Sequence, residues 1–269
     1  MTAIMIVLAE IPDLESLADK HRHDLRWMKD HLPACNDNPD LETGLLHSAA
    51  KALSPGHPFN SLRCRLSDYY LDAAQGRSVR RSSTALERAV CRDPARRAKR
   101  SAIGSRSWLD DLAARFEIGV RAGSAFGGAD RHGHYVVYPD SGLIERRLIE
   151  IDQLTATSTR HPVLRAIVAA ALLLNLHPMR DGNGRISRLA FNDLIGQATD
   201  TAFYLPIFEL AEASAGGWMY ATRMAWQRGD WEPLIHFHLN ATRLFCRDES
   251  HGAMHPSDRP AVASDAARQ

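Results

Sequence analysis

The chain has 269 residues, enough for one large domain or two small ones. Its residues are 45% hydrophobic and 24% charged, which is ordinary for a folded globular protein, and 33 basic residues nearly balance 32 acidic ones. This balance gives no overall electrostatic reason to bind nucleic acid or an anionic membrane surface, and we expect neither as a partner.

Helical periodicity dominates the chain, and strand signals are few. The one strand candidate, residues 132–139, is rich in β-branched and aromatic residues and ends at a proline. The sequence therefore predicts a mainly α fold with one small β-hairpin, followed by a polar, disordered tail at residues 247–269. In chain order, helices are predicted over residues 13–32, 41–53, 59–74, 108–120, 143–154, 162–176, 183–195, 217–227 and 231–246.

The location of the protein is predicted from its apolar stretches and its cysteines. The most apolar stretch, residues 163–176, is too short to span a bilayer and carries Arg165, so a central buried helix explains it better. The four cysteines form no CxxC pair, which argues against a structural zinc site and favours reduced thiols. We expect a cytoplasmic protein without a membrane partner.

Residues 77–100 form a basic segment, with nine basic residues and only two acidic ones. Such a segment can be an arm that binds nucleic acid. The segment has no interleaved aromatic residues, which favours a solvated helix face instead.

A glycine-rich loop follows the predicted buried helix. The helix is expected to end at His177, because the residue before Pro178 disfavours the α conformation. Gly182, Asn183 and Gly184 can turn successive backbone N–H groups into one concavity, where the start of the next helix also favours an anion. A Gly-Asn-Gly run alone is a common turn, so the prediction depends on the residues around it.

Charged side chains surround this concavity in the sequence. Arg185 and Arg188 lie three positions apart at the start of the next helix, and two forked guanidiniums beside backbone amides suit a polyphosphate. Asp181 offers a hard oxygen ligand for Mg²⁺. His177 is the one side chain of the loop able to accept a proton near neutral pH. Together they predict a phosphate-bearing substrate, a metal ion and a general base.

Residues 177–188, HPMRDGNGRISR, resemble the Fic signature H-P-F-x-[DE]-G-N-G-R-x-x-R, with Met179 in place of phenylalanine. The resemblance extends over about residues 105–246. It implies a Fic-type helical bundle with a β-hairpin flap at residues 105–246, extra N-terminal helices within residues 1–104, and the tail at 247–269.

The resemblance also implies a protein adenylyltransferase that uses ATP and Mg²⁺. His177 would deprotonate a hydroxyl of a target protein, which then attacks the α-phosphate, and Asp181 would hold the metal. The strand candidate would be the flap that aligns the target by strand pairing. The residues implied to bind the nucleotide are Gly182, Asn183, Gly184, Arg185 and Arg188, with the last two on the β- and γ-phosphates, and those implied for the flap are Tyr135, Val136, Val137 and Tyr138.

A second motif lies upstream. Ser83 and Glu87, four positions apart, resemble the family's inhibitory helix [ST]-x-x-x-E-[GN], with Arg88 at its last position. This helix would cover about residues 80–92. Glu87 paired with Arg188 would occupy the guanidinium that the γ-phosphate needs. The alternative is that Glu87 is a solvated helix charge among its arginine neighbours.

Other functions stay open at this point. The same residues could remove AMP, or could use another nucleotide or phosphodiester donor, because residues 215–220 lack an Asn that family members often carry near the base. A non-catalytic Fic-like binding scaffold is the third possibility, and the intact His177 argues against it. The N-terminal helices could bind the target protein or join copies of the chain into a homo-oligomer.

Overall fold

A computed structural model of the chain describes residues 2–32, 87, 89–93, 102–127, 134–156, 161–200, 204–205, 207, 211 and 217–245. The predicted helices at 41–53 and 59–74, Ser83, most of the basic segment and the predicted tail lie outside the described residues. The elements are β1 (Thr2–Met5), α1 (Leu14–Lys20), α2 (Arg22–His31), α3 (Arg106–Arg115), β2 (His134–Val137), a 3₁₀ turn (Ser141–Leu143), α4 (Ile144–Ala156), α5 (Pro162–Leu176), α6 (Asn183–Thr199), α7 (Gly217–Arg228) and α8 (Glu232–Phe245).

The predicted mainly α fold is confirmed. The pattern at residues 13–32 forms two helices, because Asp13 caps α1 and the chain leaves the helical conformation at His21 before α2 begins. Helix α5 has the predicted bounds, with Pro162 in its first turn. Helix α6 is longer than predicted and ends where Asp200 adopts a left-handed conformation.

Helix α5 lies at the centre of the core. All of its residues from 166 to 176 are buried, and it packs against α6 and α4 as well as α2 and α8. Burial of each large aliphatic side chain contributes roughly 1.5–3 kcal/mol, so α5 is a rigid support for the loop that follows it. None of the helices in the described ranges combines the length and the apolar character needed to cross a bilayer.

The β structure is larger than the predicted hairpin. Strand β2 pairs in parallel with β1, with Met5 opposite Val137. On the other edge of β2, residues 125–127 form an antiparallel bridge through Phe126 and Val137, supported by a hydrogen bond from Gly127 N to Val136 O (2.7 Å). The hairpin is thus present only as this bridge, and the regular pairing is with an N-terminal strand that the sequence did not predict.

The segment after β1 is fastened to the helices by side chains that bind its backbone. Asn175 of α5 accepts from Ala9 N (2.9 Å) and donates to Val7 O (3.1 Å). Arg147 of α4 donates to Ala9 O. These bonds satisfy backbone groups that have no ladder partner, and they fix β1 at the edge of β2.

Candidate active site

The loop after α5 is closed by its own side chains. His177 ends the helix in the left-handed region (φ 54°, ψ 55°) and its N–H donates to Leu173 O. Asn183 binds back across the loop, accepting from Met179 N (2.8 Å) and donating to Met179 O (2.9 Å). Met179 is fully buried, so the methionine fills the apolar position of the motif. The loop is therefore a fixed structure.

Glycine allows both guanidiniums to approach the backbone of the loop. Gly182 has φ 72°, and a Cβ there would lie 2.9 Å from Arg185 Nη2. A Cβ on Gly184 would lie 3.0 Å from Arg188 Nη1. Any larger residue would fill the space between the backbone amides and the guanidiniums. This space has the amide donors, the helix N-terminus and the positive charge that a phosphate group requires.

The structure places Asp181 and Arg185 at the rim of this space. The Asp181 side chain is 84% exposed and lies 3.6 Å from Arg185 Nη2. The Arg185 guanidinium also lies over the ring of Phe116, 5.1 Å from its centroid, which limits its freedom. The described residues form no cluster of three or more metal-binding side chains. A carboxylate of this kind suits Mg²⁺, which usually takes one or two protein oxygens and completes its shell with phosphate and water.

His177 is held in the neutral form. Its ring stacks on Tyr138 of the flap, with centroids 3.5 Å apart and planes 15° apart. Burial lowers the pKa of His177 to about 4; Arg121 acts in the same direction, whereas the Leu174 backbone and Asp181 oppose it. At neutral pH the ring is therefore uncharged, which is the form that can accept a proton, and its low pKa makes it a weaker base than an exposed histidine.

Glu87 and Arg188 form a buried pair. Arg188 donates from Nε to Glu87 Oε2 (3.0 Å) and from Nη2 to Oε1 (2.5 Å), and the two side chains are 9% and 1% exposed. The alternative that Glu87 is a solvated helix charge is therefore wrong. Its segment is anchored at two further points: Val90 and Cys91 are buried in the core, and Asp93 pairs with Arg115 of α3 at 2.7 Å.

The flap residues do not all reach the loop. Tyr138 contacts His177, whereas Tyr135 lies on the opposite face of the strand, where its ring is 6.0 Å from that of Phe126. At Val137 both edges of β2 are already paired, one with Met5 and one with Phe126. A target segment that pairs with this sheet would therefore have to use an outer strand or displace one of these neighbours.

Arg121 is the residue of the site that sequence reasoning missed. Its buried guanidinium donates to the backbone carbonyls of His177, Leu176, Gly123 and Pro139. The one sequence signal was an arginine within a stretch of small and apolar residues, without an acidic residue within three positions. That signal does not say which backbone groups it would bind.

Comparison with known proteins agrees with this geometry. Residues 113–195, which contain the loop and the segment before the flap, match the Fic/DOC family. No curated protein matches the chain. Among solved structures, the chain is similar to a Fic family protein from Desulfovibrio desulfuricans G20, with a TM-score of 0.54 and 16% identity, over 90% of this chain and 76% of that one. The chain therefore has a Fic fold.

Proposed function

We propose that this chain transfers AMP from ATP to a hydroxyl group of a protein, and that Glu87 holds it inactive. The observation that carries the proposal is the loop itself, in which a neutral histidine precedes a glycine-lined space bordered by two guanidiniums. The match of residues 113–195 to the Fic/DOC family supports transferase chemistry at this loop.

The chemistry follows from the residues around the loop. His177 takes the proton of the target hydroxyl, whose oxygen bonds to the α-phosphorus of ATP. The bond from that phosphorus to the bridging oxygen breaks, and pyrophosphate leaves. Backbone amides at Gly182 and Gly184, together with Arg185, stabilise the charge that develops on the phosphate oxygens. Asp181 would hold a Mg²⁺ ion, which would neutralise part of the negative charge of the phosphate groups.

The Glu87–Arg188 pair explains how the site would be restrained. Arg188 directs two of its donors, Nε and Nη2, at the carboxylate. A terminal phosphate of ATP needs the same forked donors and is repelled by the carboxylate. ATP could therefore bind in a productive position only after Glu87 has moved.

The test compares wild type, Glu87→Gly, and Glu87→Gly/His177→Ala, each incubated with Mg²⁺ and α-labelled or γ-labelled ATP. The matched control is Glu145→Gly, which removes a glutamate paired with Arg106 on the exposed surface. Label is followed on the protein itself and on proteins of a cell lysate. We expect α-label to rise at least tenfold in Glu87→Gly, to stay at the wild-type level in the control, and to disappear without His177.

Other outcomes separate the alternatives. Transfer of γ-label would mean that a phosphate group moves instead of AMP. An absence of both labels in Glu87→Gly, with ATP still bound, would reject ATP as the donor and favour another nucleotide or a scaffold. Equal α-label in wild type and Glu87→Gly would keep the transferase and reject the inhibition.

A further inference from the structure

We propose that Arg121 is a positioning residue, whose guanidinium sets the location of the base His177 and of the flap residue that stacks on it. The effect on activity rests on the proposed function, but the effect on the position of the ring does not. Arg121 lies between α3 and the flap, outside the loop motif, and its role comes from the backbone groups that it binds.

One residue fixes three consecutive carbonyls at the start of the loop. Arg121 donates from Nη2 to Leu176 O (3.0 Å), from Nε to His177 O (2.5 Å) and from its own backbone N to Pro178 O (3.0 Å). The last carbonyls of a helix have no partner within the helix. Arg121 supplies a partner for one of them, Leu176 O, and for the carbonyl of His177 just after the helix, and it places a positive charge at the negative end of the helix dipole.

The same guanidinium reaches the flap. Its Nη2 donates to Pro139 O (2.5 Å), and Nη1 donates to Gly123 O (2.8 Å). Pro139 directly follows Tyr138, whose ring stacks on His177. Arg121 thus holds both members of the stack by their backbones, one through His177 itself and the other through the next residue in the chain.

His177 needs such support because its backbone is strained. A residue with a side chain rarely adopts the left-handed conformation, which persists only when the surroundings impose it. Arg121 is 6% exposed, and its guanidinium donates to the carbonyls of His177, Leu176, Gly123 and Pro139. Its hydrogen bonds thus go to backbone carbonyls, which is the arrangement expected of a residue that holds the backbone in place. A lysine has a charge but no fork, so it can replace only part of this set.

The test places Arg121→Gln and Arg121→Lys in the Glu87→Gly background. The matched control is Arg165→Gln: Arg165 is part-buried and, like Arg121, donates to a backbone carbonyl, that of Thr155, but it lies near the start of α5, three turns from His177. For each variant we would measure the rate constant of α-label transfer, the KM for ATP and the melting temperature. A displacement of a catalytic group by about 1 Å costs on the order of 100-fold in rate.

We expect Arg121→Gln to lower the rate constant by about 100-fold with little change in KM, and Arg121→Lys to restore part of it. Arg165→Gln should lower the melting temperature about as much as Arg121→Gln does. Its rate constant should stay within about threefold of that of the Glu87→Gly background. An equal loss of rate in Arg165→Gln and Arg121→Gln, or a loss that appears only in KM, would overturn the proposal.

A second readout does not depend on activity. The ring protons of His177, identified in the NMR spectrum with His177→Ala, should be shifted upfield by the ring current of Tyr138. In Arg121→Gln they should move towards the positions of a free imidazole while the other signals stay dispersed. If Arg121→Gln does not fold, the same comparison is made with Arg121→Lys. Unchanged ring-proton shifts in a folded variant would overturn the proposal, even if Glu87→Gly proved inactive and the proposed function failed.

Discussion

The Glu87–Arg188 pair can be tested by a change that keeps the shape of the side chain, Glu87→Gln. The carboxylate that it removes is almost fully buried and accepts two hydrogen bonds from Arg188, so the substitution leaves a buried cation without its counter-charge. Loss of one partner from a buried ion pair costs about 3–5 kcal/mol. We expect a loss of this size in the free energy of unfolding, measured in urea so that added salt does not screen the charges.

A double-mutant cycle with Arg188→Met measures the pair itself. Each single variant leaves one buried charge, whereas Glu87→Gln/Arg188→Met leaves none, and uncharged replacements of a buried pair are often close to neutral in stability. The double variant should therefore be more stable than the sum of the two single losses predicts. Mg²⁺–ATP should restore stability to Glu87→Gln, by about 2.7 kcal/mol at 100 times its dissociation constant. The stability of wild type should rise much less at the same concentration of Mg²⁺–ATP.

The reasoning would be refuted if Glu87→Gln cost less than about 1 kcal/mol, which is the range of solvent-exposed ion pairs. It would also be refuted if the losses in the cycle were simply additive. Either result would mean that the carboxylate and the guanidinium are not paired in a buried environment in solution, and the proposed inhibition would lose its physical basis.

Three further predictions concern the loop, the core and the segment that carries Glu87. Asn183→Asp keeps the size of the side chain but removes the donor to Met179 O, so we expect a loss of about 1–3 kcal/mol in urea unfolding and no α-label transfer in the Glu87→Gly background. Burial lowers the pKa of His238 to about 4, whereas an unfolded histidine titrates near 6.5, so the unfolded state binds the proton first. His238 should therefore account for a loss of about 3 kcal/mol of stability as the pH falls from 6.5 to 4, and the total loss should be smaller by this amount in His238→Gln; His177, whose pKa is also lowered, contributes to the remainder. Asp93→Ala removes the part-buried pair with Arg115, worth up to about 1 kcal/mol, and should raise α-label transfer in the otherwise wild-type chain by up to about fivefold; an unchanged rate would mean that this pair does not hold the segment.

Sequence patterns predicted the helices whose ends are determined by residues within the helix or next to it. The bounds of α5 follow from a continuous apolar run with prolines at its first helical position and just after its end, and both signals lie within the helix or next to it. The end of α6 was missed by four residues, because Asp200 stops the helix by taking a left-handed conformation that aspartate adopts only in some contexts. Such a stop depends on the surrounding packing more than on the residue type.

The pairing of β1 with β2 could not be predicted in the same way. It depends on Asn175 and Arg147, which bind the backbone around Ala9 from positions more than 130 residues away. Their partners are backbone groups, which every residue carries, so the sequence holds no complementary signal. Arg121 was missed for the same reason. Glu87 was identified because its partner is a charged side chain within a motif of known spacing.

The position of Glu87 determines how activation would work. A ligand that binds only the minor, open form has its apparent dissociation constant raised by the inverse of the open fraction. If displacement of Glu87 costs about 3 kcal/mol, the open fraction is on the order of 1 in 150, and productive binding of ATP is weakened by that factor. The loop is fixed by Asn183 and by Arg121, so the free energy of activation is concentrated in the segment that carries Glu87. A partner that binds this segment only in the displaced form could strengthen productive ATP binding by up to this whole factor, without altering any group of the loop. A partner that binds both forms equally would not change ATP binding at all.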